Sequence, residues 1–141
     1  MGECVFCDII SGAGSAAFVA EDDGAVAFLD LRQAVLGHVL VVPRRHIPTI
    51  YELSPDEGAT LMSLAVRVAR AVRDALEPAG LNLWQSNGAV AGQEVDHLHL
   101  HVHPRRADDG IWHVYPQGLP APAAPERLAD LAMTLRAALP A

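Results

Sequence analysis

The sequence predicts an α+β fold: an antiparallel sheet of about five strands, one main helix packed on it and a C-terminal helix. Three observations lead there. Short apolar runs, rich in Val, Phe and Leu, are punctuated by Gly, Asp and Pro, as strands joined by turns are. Residues 55–76 carry apolar side chains at helical spacing. And His97-Leu98-His99-Leu100-His101-Val102-His103 alternates with period two, which a strand sorts onto two faces. With 141 residues, 51% apolar and 19% charged, the chain is expected to form one domain with a sizeable core.

Residues 4–10 read as a short helical turn, ended by Gly12 and Gly14. Residues 16–20 are a first strand, and Glu21-Asp22-Asp23-Gly24 turns the chain into a second at 25–29, closed by Asp30. Residues 37–42 form a third strand, stopped by Pro43, and a loop fixed by Pro43 and Pro48 follows. Ser54 as N-cap, Pro55 at the first helical position and Glu57 three residues after the cap make a strong helix start. Leu61, Leu64, Ala65, Val68, Ala71, Val72 and Leu76 then mark the buried stripe of the main helix, and Pro78 and Gly80 end it. Residues 81–85 alternate as a fourth strand, and 86–93 are a flexible loop of small residues before the histidine strand. The prolines after Pro104 make an irregular segment, and 126–139 form the last helix, with Leu128, Leu131, Ala132, Leu135 and Leu139 on one stripe.

The net charge of −7 argues against a nucleic-acid binder, which needs a positive footprint. It still permits a small anionic ligand held by local donors. No apolar run is long enough for a membrane helix. The start, Met1-Gly2-Glu3-Cys4, has no basic region followed by an apolar one, so the cytoplasm is the expected location. The two cysteines are spaced Cys4-x-x-Cys7, which suggests metal or redox chemistry, or simply two small apolar side chains on a helical turn.

As a strand, the histidine stretch places four imidazoles on one face, about 7 Å apart, with Leu98, Leu100 and Val102 turned to a core. Three readings compete. A histidine-rich edge strand is the bland one, disfavoured because buried unpaired imidazoles cost free energy and exposed ones explain nothing. A metal site on the row is the second. The third is nucleophilic catalysis, in which one imidazole attacks phosphorus and a neighbour stabilises the developing charge.

Residues 92–102, Gly-Gln-Glu-Val-Asp-His-Leu-His-Leu-His-Val, resemble the signature of the histidine triad (HIT) superfamily. Phe28-Leu29-Asp30 and the run from Gly37 to Ile47 resemble that family's nucleotide-binding strands, in the right order. The resemblance covers about 4–105 and is closest to the Hint-like branch, with the Fhit-like dinucleotide hydrolases next. It implies a HIT domain over 1–105, with 106–141 as a tail and helix packed on the same domain.

The resemblance also implies roles. The triad His97, His99 and His101 is the catalytic set, with His99 as nucleophile and His101 on the phosphate. His38 lies near the same phosphate and Asp30 accepts from the ribose hydroxyls. Phe6, Ile9 and Phe28 wall the base. Gly92, Gln93, Glu94 and Val95 belong to the phosphate-binding loop, and Ser86 or Asn87 donates to the leaving group. The implied substrates are purine nucleotides, AMP or GMP derivatives such as phosphoramidates and dinucleoside polyphosphates, cleaved through a nucleotidyl-histidine with no magnesium requirement. Prokaryotic Hint-like proteins with a Cys-x-x-Cys imply a structural zinc on Cys4, Cys7, His46 and His97. His97 is then not free to act as an acid. Hint-like proteins are homodimers, and helix 55–76 suits such a contact.

Glu94 stands where some relatives have Ser or Thr, and a glutamate acts as a general acid there only if its pKa is raised. His103 extends the alternation beyond the triad and is expected to be an exposed strand-end residue. Trp112, His113 and Tyr115 are candidates for a leaving-group rim or a subunit contact. The rival functions are a nucleotide-binding regulatory module with little catalysis, and a metal-handling protein that uses the histidine row itself.

Overall fold

The computed structural model describes residues 3–140; Met1 and Gly2 of the start, and Ala141, lie outside the described residues. Two compact units are present, one up to Asp109 and one from Gly110 on.

The first unit is built on a five-stranded antiparallel sheet in the order β1-β2-β3-β5-β4. Its strands are β1 (Phe18–Glu21), β2 (Ala25–Leu29), β3 (Val39–Pro43), β4 (Gly80–Gln85) and β5 (Leu100–Arg105). β1 starts two residues later than expected, and a register shift lies between Phe18 and Ala20. The β1–β2 turn is held by Asp22, whose Oδ1 accepts from the backbone N–H groups of Gly24 and Ala25 at 3.0 and 2.9 Å. That is the local chemistry which makes Asp a turn residue.

Helix α1 (Val5–Ser11) ends at Gly12, whose φ of 84° places it in the left-handed region that favours glycine. Helix α2 (Pro55–Leu76) starts as its sequence requires. Ser54 Oγ accepts from Glu57 N, and the Glu57 carboxylate accepts from Ser54 N. At its other end Arg106 donates to the carbonyls of Leu76 and Glu77, satisfying acceptors the helix leaves open.

The sheet is covered on both faces. α2 lays Leu61, Leu64, Ala65, Val68 and Val72 on Ala25, Ala27, Val39, Val41, Leu98 and Val102. Ala71 and Leu76, expected in the buried stripe, are exposed, and Ala69 packs in their place at the edge of the cluster. On the opposite face, Phe6 and Ile9 of α1 pack on Val26, Phe28, Leu40 and Val42. Alternate residues of β2 and β3 therefore serve two cores, which is why both strands read as continuous apolar runs.

The histidine stretch departs from its expected form in one respect. Regular pairing begins at Leu100, and 97–99 is an irregular approach to the strand. Leu98 N donates to Ile47 O at 2.6 Å, outside the β3–β5 ladder. Leu98 and Val102 are buried in the α2 core, and Leu100 packs against it, as alternation requires. Pro104 sits inside β5 without cost because β3 pairs only with 100–102, so no donor is needed on that side.

In the second unit, α3 (Pro125–Ala138) follows a segment without regular structure. Pro125 occupies its first turn, and none of its residues is buried. No helix among the described residues is long and apolar enough to cross a membrane.

Candidate active site and metal centre

One row of side chains runs across the sheet on the α1 face. The strand register places Phe28 opposite Leu40, Leu40 opposite His101, and His101 opposite Trp84. This row lies along a cavity of about 700 Å³, which is also lined by Phe6, Ile9, Asp30, Gln33, Gly92, Glu94, Val95 and His99. One end of the cavity is apolar. Phe6 and Phe28 meet edge to face with centroids 5.4 Å apart, and Ile9 packs in the same cluster. The other end is polar, with His99 and His101 in ring contact at 4.8 Å.

His99 is buried, and its Nδ1 donates to the backbone carbonyl of His97 at 2.7 Å. A carbonyl can only accept, so the proton of the neutral ring is on Nδ1 and the Nε2 lone pair is free. The edge of Phe6 packs on the same ring at 5.2 Å. His38, the residue before β3, contacts His101 through Nε2 and Nδ1, 2.9 Å apart, while its own Nδ1 faces Asp30 Oδ2 at 3.6 Å. Burial, followed by the neighbouring His99, His38 and His103, pushes His101 down to about 3. Burial also lowers His38, with Asp30 opposing. In the free protein His38 and His101 are neutral near pH 7, and an entering anion would favour their protonated forms.

The 30–38 turn that presents Asp30 and His38 is stapled by Gln33. Its amide donates to the carbonyls of Asp30 and His38 and its oxygen accepts from Gly37 N and His38 N. Asp30 Oδ1 accepts from Arg32 N at 2.7 Å.

His103 is buried and not exposed as expected. Its Nδ1 donates to Pro104 O, and its ring lies 4.3 Å from His38 and 5.4 Å from Trp84. Ser86, Asn87 and Gln93 do not line the cavity. Asn87 exchanges amide hydrogen bonds with Gln85 and accepts from Ile50 N, while Gln93 donates to Pro48 O and Val95 O and accepts from Gly88 N. These side chains fix the 86–93 loop, which also contains a 3-10 turn at Ala89–Ala91. Glu94 stands at the mouth, 84% exposed, 3.9 Å from Arg32. Trp84 and Gln33 are the site residues that sequence reasoning missed.

Behind His99 lies a second cluster. Cys4, Cys7, His46 and His97 bring one ligand atom each to within 4.8 Å of one another. The Cys4 Sγ–His97 Nδ1, Cys7 Sγ–His46 Nδ1 and Cys7 Sγ–His97 Nδ1 separations are 3.4, 3.5 and 3.6 Å. A tetrahedral zinc with bonds of ~2.3 Å to sulfur and ~2.05 Å to nitrogen requires an S···N edge of about 3.5 Å. The donor set therefore fits zinc. His97 Nε2 donates to Pro43 O at 2.8 Å, which leaves Nδ1 as the ligand atom.

The fold and this site recur in known proteins. A family model described as the HIT domain matches residues 12–108. The chain is 44% identical over 102 residues to the protein hit of Bacillus subtilis, covering 72% of this chain and 70% of that one. It is 35% identical over 117 residues to the adenosine 5'-monophosphoramidase hnt1 of Schizosaccharomyces pombe (80% and 85% covered). A crystal structure of a HIT family member from Bacillus subtilis superposes with a TM-score of 0.91 at 36% identity, covering 99% of both chains. A zinc-bound histidine triad protein from Mycobacterium smegmatis superposes at 0.71 and 33% identity, covering 96% of this chain and 97% of that one. The chain belongs to the HIT domain family.

Proposed function

We propose that this protein hydrolyses or transfers nucleoside monophosphates from purine nucleotide derivatives, through a nucleotidyl intermediate on His99. The observation that carries the reading is the His99 Nδ1–His97 carbonyl bond inside the cavity, which leaves the opposite nitrogen free to attack. The S. pombe relative, named as an adenosine 5'-monophosphoramidase, supports the reaction class.

The purine lies against Phe6, Ile9 and Phe28, and Asp30 accepts from the ribose. His99 Nε2 attacks the α-phosphorus, and the bond to the leaving group breaks as the P–N bond forms. The leaving group departs with its electron pair and takes a proton. Water then cleaves the P–N bond, releases the monophosphate and restores the imidazole. His101, backed by His38, meets the phosphate oxygens, and backbone N–H groups of 92–95 add donors. Cys4, Cys7, His46 and His97 would hold a zinc ion, which would supply a structural clamp on α1 and on the approach to β5. Glu94, exposed at the mouth, meets the leaving group or its water.

The test is incubation of the protein with AMP phosphoramidate and with a dinucleoside polyphosphate. Release of AMP from either is the expected result. AMP binding with turnover of neither substrate would make this a binding module instead.

A homodimer completes the reading. β4 is an edge strand with Leu83 exposed, and beside it Val66, Ala69 and Leu81 line a shallow groove together with Arg70 and Arg73, while Met62 of α2 is exposed as well. An open edge next to an apolar helix face suits a two-fold partner. Sedimentation equilibrium should give a dimer, and Val66→Glu should shift it to monomer. A monomeric wild-type protein at micromolar concentration would rule the contact out.

A further inference from the structure

Trp84 has no part in the chemistry described so far, yet it makes the most parallel ring contact in the site. It lies on β4 directly opposite His101. The indole and imidazole planes are 11° apart and their centroids are 4.5 Å apart. The same indole reaches His103 at 5.4 Å and His38 at 5.8 Å.

The hydrogen bonds around His101 show why that contact matters. Asp30 Oδ2 stands 3.6 Å from His38 Nδ1, and its charge together with the Arg32 main chain favours a proton on that nitrogen, so neutral His38 keeps its lone pair on Nε2. His101 Nδ1 must then donate to His38. Neutral His101 is left with a lone pair on Nε2, which repels a phosphate oxygen. To bind an anion, His101 has to take a proton from solvent at Nε2 and become an imidazolium. Its neighbours His99, His38 and His103 resist that charge, and the Asp30 carboxylate favours charge on His38 behind it. The indole face is the electron-rich surface in direct contact, and a stacked indole stabilises a cation more than other aromatic rings do.

We propose that Trp84 is a positioning residue for His101: its indole holds the imidazole in line with His38 and stabilises the proton that His101 takes up when a phosphate group fills the cavity. The inference rests on the reading of the cavity as a nucleotide site. An aliphatic side chain at this position would keep an apolar neighbour beside His101 but lose the cation contact, and phenylalanine would keep part of it.

The experiment is side-chain ¹⁵N NMR of the histidines in the full-length protein, wild type against Trp84→Leu and Trp84→Phe, with and without AMP, from pH 5.5 to 8.5. The pH profile of kcat/KM on AMP phosphoramidate is measured alongside. In wild type without AMP, His101 should show a single tautomer protonated at Nδ1. In Trp84→Leu the tautomers should mix, and the AMP-bound His101 titration should fall by about 0.5–1.5 pH units, with Phe in between. The limb of the rate profile that reports His101 should move with it. If Trp84→Leu does not fold, the smaller shift in Trp84→Phe is the deciding reading. Identical tautomer and titration in all three proteins would overturn the proposal. An unchanged AMP-linked shift difference in a protein that turns over neither substrate would leave the Trp84 role standing and remove only the hydrolase reading.

Discussion

His99→Ala should lower turnover of AMP phosphoramidate by at least about 10⁴-fold while AMP still binds. Removing a nucleophile closes the covalent route, and the residual rate comes from the remaining groups that bind and polarise the phosphate. At 1.36 kcal/mol per tenfold, that loss is about 5 kcal/mol of transition-state stabilisation. His101→Ala should cost less, since it removes charge stabilisation and leaves the bond-forming nitrogen in place. The distinction is geometric: of the two imidazoles that line the cavity, only His99 has its Nδ1 fixed by a main-chain carbonyl, which holds its Nε2 lone pair ready. Because His99 is buried, alanine leaves a hole, and His99→Asn serves as a control for shape. Both variants should melt within a few degrees of wild type. Rapid-quench labelling with an AMP derivative carrying ³²P at the α-phosphate should trap radioactivity on wild type and on neither variant. Turnover by His99→Ala within tenfold of wild type would remove the nucleophile assignment.

The parts of this molecule that were legible in its sequence are those whose chemistry is local. The α2 start could be read because Ser54, Pro55 and Glu57 cap the helix within four residues of one another. β2 could be read because Asp22 closes its turn with its own neighbours. The features that were misread depend on distant partners. Residues 97–99 do not pair as strand because Leu98 bonds to Ile47, 51 residues away. His103 is buried because Trp84 and His38, on two other segments, stand beside it. Nor does any local pattern say that the Asn87 side chain accepts from Ile50 N or that the Gln93 side chain donates to Pro48 O. Trp84 read only as an alternating strand residue, since no local pattern says which imidazole a neighbouring strand will place against it. The four residues of the metal cluster came from three segments, and Cys-x-x-Cys alone left metal, redox and packing open.

Removal of the metal should unfold the α1 face before the rest. Helix α1 has seven residues, too few to hold itself in water, and only Phe6 and Ile9 of it are buried. Cys4 and Cys7 flank Phe6, so a clamp on both sulfurs fixes the ring between them. That ring touches His97 at 5.8 Å, His99 at 5.2 Å and Phe28 at 5.4 Å. His97 joins the two sites more directly still, with its side chain in the metal cluster and its carbonyl on His99 Nδ1. The protein as purified should hold one zinc per chain by elemental analysis. At free zinc a thousandfold above the dissociation constant, binding contributes about 4 kcal/mol to stability. In a domain of this size, chelation should therefore lower the melting temperature by about 15 °C or more. Cys7→Ala should reproduce the loss without chelator, and added zinc should not restore it. His97→Ala should also lose zinc, but it keeps the main-chain carbonyl. It should therefore retain more turnover than His99→Ala at temperatures where both are folded. A protein that binds no zinc, or that melts at the same temperature with and without chelator, would show that α1 is held by packing alone.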